Sequence, residues 1–104
     1  MQKNTTPEMQ ALFSAIASVQ NAQECQLFLE DICTIKEIQA MAQRLQVAAQ
    51  LRSGKNYNEV CADTGASSAT ISRVNRCLNY GGGYRTALDN LKKAGKLDDA
   101  GMEP

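Results

Sequence analysis

The stretch from Tyr57 to Leu78, YNEVCADTGASSATISRVNRCL, holds two short helical patterns separated by a glycine, and it restricts the fold more than any other part of the chain. Asn56 is a good N-cap, and Glu59 stands three residues on, as in a capping box. Val60, Cys61 and Thr64 supply a narrow inward face, which predicts a first helix over about 57–64. Gly65 stands where a helix leaves through a left-handed residue, a conformation glycine adopts without a Cβ penalty. Ser67 can cap a second helix, in which Ile71, Val74 and Leu78 recur at three-and-four spacing and face back onto the first. The outer face then carries Ser68, Ala69, Thr70, Ser72, Arg73 and Arg76, which are small, hydroxyl-bearing or basic. Small residues allow close approach to a major groove, while hydroxyl and guanidinium groups can meet base edges and phosphates. A plain αα-hairpin with a solvated face needs the same caps and turn. The combination of short helix, Gly65, short turn and the run from Thr70 to Val74 favours a helix-turn-helix over about 57–79.

With 104 residues the chain suits one domain, read as residues 1–96, and is short enough that pairing with a second copy would help to bury apolar surface. Sustained period-two alternation is missing, aromatics make up 5% of the chain, and Ala, Gln, Leu and Glu are plentiful, so the expected fold class is all-α, with about six helices. Formal net charge is zero, yet its distribution is uneven. Residues 1–43 hold two basic and five acidic side chains, residues 44–96 hold nine basic and three acidic, and residues 97–104 add three acids. The segment around the helix-turn-helix is therefore the basic one, as a phosphate-facing surface requires. The acidic tail, 97–104, is expected to be disordered.

Cys25, Cys33, Cys61 and Cys77 form no C-x-x-C pair, and the chain has no histidine, so neither a metal site nor a cofactor is expected. All four cysteines lie within helical patterns where a small buried hydrophobe fits, and no secretory signal precedes them, which points to reduced thiols and a cytoplasmic location. No apolar run approaches the length needed to span a bilayer, so no membrane partner is expected.

Thr6 and Pro7 offer an N-cap and a first helical proline, followed by the stripe Met9, Leu12, Phe13, Ile16 and Val19. Asn21 and Glu24 open a second helix carrying Leu27, Phe28, Leu29 and Ile32. Thr34 and Glu37 open a third, with Ile38, Met41, Leu45, Ala48 and Leu51 on or near one side, ending near Ser53 before Gly54. Gly81, Gly82 and Gly83 interrupt the chain after the helix-turn-helix, and Tyr84, Leu88 and Leu91 fit a last helix ended by Gly95. The first two helices hold more large apolar residues than one exposed layer needs. A partner chain is the simplest cover.

The order of these elements, the run LRSGK at Leu51–Lys55, and above all SSATISRVNRCL at Ser67–Leu78 resemble the Trp repressor superfamily, more closely its small YerC/YecD-type branch. The resemblance spans about residues 10–93. It implies an intertwined Trp-repressor-like homodimer whose helix-turn-helix units project from the core and bind double-stranded operator DNA, the act of a transcriptional repressor. It also implies that Ser68, Ala69, Thr70 and Ser72 approach bases and that Asn58 meets DNA from the first helix. The full candidate DNA-binding set is Asn56, Asn58, Ser67, Ser68, Ala69, Thr70, Ser72, Arg73 and Arg76.

The same resemblance places Arg73 at one wall of the family's tryptophan pocket. The other wall departs from the pattern: Gln43 stands where a second arginine is expected, with Arg44 one residue along, and Val74 replaces the glycine that leaves room for the indole. Gln43, Arg44, Arg73 and Val74 thus mark a possible pocket for an unknown small-molecule effector, and tryptophan is not the expected one. A helical dimer that binds protein without DNA specificity is the alternative reading. An enzyme is not expected, because no nucleophile-base spacing or Gly-rich phosphate loop is visible.

Overall fold

The computed structural model describes residues 4–97, which form six α-helices and, among the described residues, no strand. They are α1 (Pro7–Ser18), α2 (Ala22–Ile32), α3 (Ile35–Arg52), α4 (Tyr57–Thr64), α5 (Ser68–Tyr80) and α6 (Gly83–Lys93). The expected all-α class and six-helix order are therefore present. The chain divides into two compact units, one up to Ile38 and one from Gln39 onward.

In the first unit each helix start is chemically marked. The Thr6 hydroxyl accepts the Met9 N–H at 3.1 Å, with Pro7 at the first helical position, where its missing N–H costs nothing. The Asn21 side chain accepts the Glu24 N–H at 2.9 Å, and the Gln20 N–H donates to the Glu24 carboxylate at 2.9 Å. At the start of α3 the Thr34 N–H donates to the Glu37 carboxylate at 2.7 Å, while the Thr34 hydroxyl accepts the Glu37 N–H at 3.1 Å. The Thr34 backbone N–H first, and then the Thr34 side chain, hold the Glu37 carboxyl below its ordinary pKa. Yet α1 and α2 bury no residue. Met9, Phe13 and Ile16, which share one face of α1, are exposed, as are Leu27 and Ile32 of α2.

The second unit holds the core. Val47, Ala48, Ala49, Val60, Ala66, Ile71, Val74 and Leu88 are buried together, with Leu51, Tyr84, Leu91 and Leu97 packed against them. Residues Val47 to Gln50 of α3 are all buried, and four consecutive helical positions span the whole circumference, so this part of α3 runs through the middle of the core.

Several expectations are corrected. Cys61 is exposed rather than inward, because α4 is short and buries only Val60; the rest of that interface comes from half-buried Thr64 and from Ala66 in the turn. Met41 and Leu45, expected on the packed side of α3, are exposed, since the buried part of that helix begins at Val47. Gly83 opens α6 instead of interrupting the chain. The break falls at Gly81, where a Cβ would come within 2.9 Å of the Cys77 carbonyl oxygen. Leu97, the first residue of the expected tail, packs on the core, and the acidic residues that follow lie outside the described residues.

Candidate nucleic-acid interface

The helix-turn-helix is wired by short-range chemistry. Asn56 and Glu59 form a complete capping box at the start of α4: the Glu59 N–H donates to the Asn56 side chain at 2.9 Å, and the Asn56 N–H donates to the Glu59 carboxylate at 3.0 Å. The helix ends at Gly65, whose φ of +73° is the left-handed conformation that favours glycine. Thr64 organises the turn. Its hydroxyl donates to the Val60 carbonyl at 2.7 Å and accepts the Ala66 N–H at 3.1 Å, while its own carbonyl accepts the Gln43 side-chain N–H from α3 at 3.1 Å. Ala66 plugs into the core, which fixes where the chain re-emerges.

Ser67 caps α5. Its hydroxyl accepts the Thr70 N–H at 3.1 Å and lies 3.1 Å from the Thr70 hydroxyl, to which it donates. That leaves the Thr70 proton available as a donor. Ile71, Val74 and Leu78 form the buried inner face of α5. On the outer face Ser68, Ala69, Ser72, Arg73 and Arg76 are exposed, and Thr70 is half-buried above them.

The structure thus brings Ser68, Ala69, Thr70, Ser72, Arg73 and Arg76 onto one helix, with exposed Asn58 on α4. Asn56 and Ser67 are exposed as well, but their side chains are engaged in capping, so they shape the interface before they can touch a ligand. Two nearby cations are neutralised: Lys55 pairs with Asp63 at 2.9 Å, and Arg52 pairs with Asp89 at 2.8 Å. Both pairs are largely solvent-facing, where such contacts contribute little to stability. They do, however, leave Arg73 and Arg76 as the cations displayed on the outer face of α5.

Arg85 escaped the sequence reading. Its guanidinium donates to the carbonyls of Leu78 at 2.9 Å and Asn79 at 2.8 Å, satisfying the last turn of α5. The only sequence signal was a basic residue shortly after a helix end, a weak one.

The candidate effector residues are distributed. Val74 is 1% exposed and belongs to the core, Gln43 is bonded to the Thr64 carbonyl, and Arg73 lies on the exposed face. Arg44 instead lines an open cleft of about 520 Å³, together with Met41, Leu45, Cys77, Tyr84 and Ala87. Gln43, Arg73 and Val74 are not among that cleft's lining residues.

Residues 7–92 match the family described as Trp repressor protein. The uncharacterized protein YerC of Bacillus subtilis (strain 168) is 53% identical over 87 residues, covering 83% of this chain and 84% of the relative. The crystal structure of a TrpR like protein from Eubacterium eligens ATCC 27750 superposes with a TM-score of 0.81 at 46% identity, covering 86% of this chain and 94% of the other.

Proposed function

Because the chain belongs to the Trp repressor family and is of the YerC type, we propose that it is a homodimeric, sequence-specific DNA-binding regulator that represses by occupying an operator. The observation that carries this reading is α5 itself. Its apolar face is buried and its start is capped, while its outer face offers three hydroxyls, an alanine methyl and two guanidinium groups within three turns. Ser68, Ala69 and Ser72 come close to base edges, Thr70 donates a proton, Arg73 reads a base or a phosphate, and Arg76 and Asn58 hold the backbone. The protein performs no chemistry in this reading and acts in the cytoplasm.

The dimer is supported by α1 and α2, which bury no residue, so the Met9–Phe13–Ile16 face and the exposed residues of α2 want a cover that a second copy supplies. With that cover, residues 1–96 act as one domain. A two-fold axis then sets the two reading helices about 34 Å apart, one helical turn of DNA. Tryptophan is not the expected effector, because Val74, buried in the core, stands where the resemblance expects the glycine that leaves room for an indole.

Selection of bound sequences from random duplex DNA tests the reading. A two-fold symmetric site with half-sites about one helical turn apart is the expected result. Arg73→Ala should then weaken binding to that site by about 1–3 kcal/mol while helix content and particle size stay unchanged. No enriched sequence, or binding insensitive to salt, would favour a protein-interaction module instead.

A further inference from the structure

We infer that Gln43 is a positioning residue for the reading head, acting through the Thr64 carbonyl to fix the angle at which α5 leaves the turn; the inference rests on the DNA-binding reading above. Thr64 is the last residue of α4, so its carbonyl lies beyond the intrahelical ladder and needs another partner. That partner comes from α3, 21 positions upstream, at 3.1 Å and partly shielded from water. Both bonds of the Thr64 hydroxyl stay within α4 and the turn, to the Val60 carbonyl and from the Ala66 N–H. Gln43 therefore joins this local wiring to the helix running through the core.

Its position gives it leverage. Ser67, the cap of α5, stands three residues beyond Thr64, and the first outer-face residue, Ser68, follows at once. A shift of the turn is passed directly to the side chains that meet bases. Base-edge hydrogen bonds demand close geometry, whereas phosphate contacts position the protein without reading sequence and tolerate displacement better. Loss of the Gln43 bond should therefore reduce binding to the selected site far more than binding to unrelated duplex. A neutral amide also suits a half-buried site, because it brings a donor without the desolvation cost of a charge.

The test compares, at pH 8, Gln43→Met, of similar length without a donor, with Gln43→His, which restores a neutral N–H donor of similar reach, against the wild-type chain. Two readouts are taken: affinity for the selected site and for unrelated duplex, and amide hydrogen exchange at residues Ala66 to Ser68 relative to Val47. Gln43→Met should lose roughly tenfold in affinity for the selected site, stay within about twofold on unrelated duplex, and exchange faster in the turn with Val47 still protected. Gln43→His should recover most of both losses. Equal losses on the two duplexes, or an unchanged selected-site affinity with the turn still protected, overturn the role of Gln43 alone. A wild-type chain that selects no DNA sequence overturns the DNA reading itself, and this role with it, before any variant is compared.

Discussion

Residues 4–38 and residues 39–97 start their helices with the same devices and then diverge in what those helices cover. Asn21 caps α2 as Asn56 caps α4, each accepting an N–H three residues on at 2.9 Å, with a glutamate returning to the backbone in both places. In the later region the capped helices α4 and α5 bury Val60, Ile71, Val74 and Leu78. In the earlier one Phe13 stays 48% exposed and no side chain is buried. Caps and propensity thus decide that a helix forms and where it begins, while a core requires facing surfaces as well, and α1 and α2 bury no residue.

The sharpest way to break this contrast is to truncate one large apolar residue in each region. If a second copy covers α1, Phe13→Ala should destabilise the dimer by about 3–5 kcal/mol and make the melting temperature depend more steeply on protein concentration. A change below about 0.5 kcal/mol, the usual result for a surface substitution, would show that Phe13 faces solvent in the assembly and that the two regions differ more than proposed. Ile71→Ala should cost about 2–5 kcal/mol whatever the concentration, since its packing lies within residues 39–97. Denaturation at two protein concentrations separates the two cases.

A smaller effect sharpens the comparison at the caps. Asn21→Ala and Asn56→Ala should each cost about 1 kcal/mol, because the lost bond is the same. Their consequences should differ: the first is expected to shift the monomer-dimer equilibrium, and the second to weaken binding to the selected DNA site. Sizing and DNA titration on both variants check this, and matching effects on both readouts would remove the division of labour between the regions.

Much of this was legible in the sequence wherever a local rule sufficed. Thr6–Pro7, Asn21, Thr34, Asn56 and Ser67 announced five helix starts, and Gly65 announced the turn, because capping and left-handed glycine depend on neighbours in the chain. What depended on tertiary placement was hidden. Cys61 fits an inward stripe by spacing, yet α4 is too short for a second buried position. Met41 and Leu45 continue the apolar pattern of α3 but precede the part of that helix inside the core. The bonds from Gln43 to Thr64 and from Arg85 to the end of α5 join distant or turn-separated residues, and no periodicity predicts them. The outer face of α5 was visible because it is what the inner stripe leaves over.

The smallest expected effect is a pH dependence confined to the first region. Glu37 is fully exposed, yet its carboxyl is held below its ordinary value of 4.5, first by the Thr34 backbone N–H and then by the Thr34 side chain. A carboxyl with a depressed folded pKa binds fewer protons folded than unfolded, so stability rises with pH through that interval. The contribution is complete above the unfolded value and is lost as pH falls through the folded one. Acidification should therefore loosen the start of α3 at a pH below 4.5. In an NMR titration the Thr34 amide should move with a midpoint below 4.5, as its acceptor is protonated, and Glu37→Gln should abolish that step while keeping a neutral oxygen acceptor. Val60, in the buried part of the second region, should not follow the same titration. A Thr34 midpoint at or above 4.5 would mean that the cap does not favour the ionised carboxylate, and that the start of α3 is held by the Thr34 hydroxyl alone.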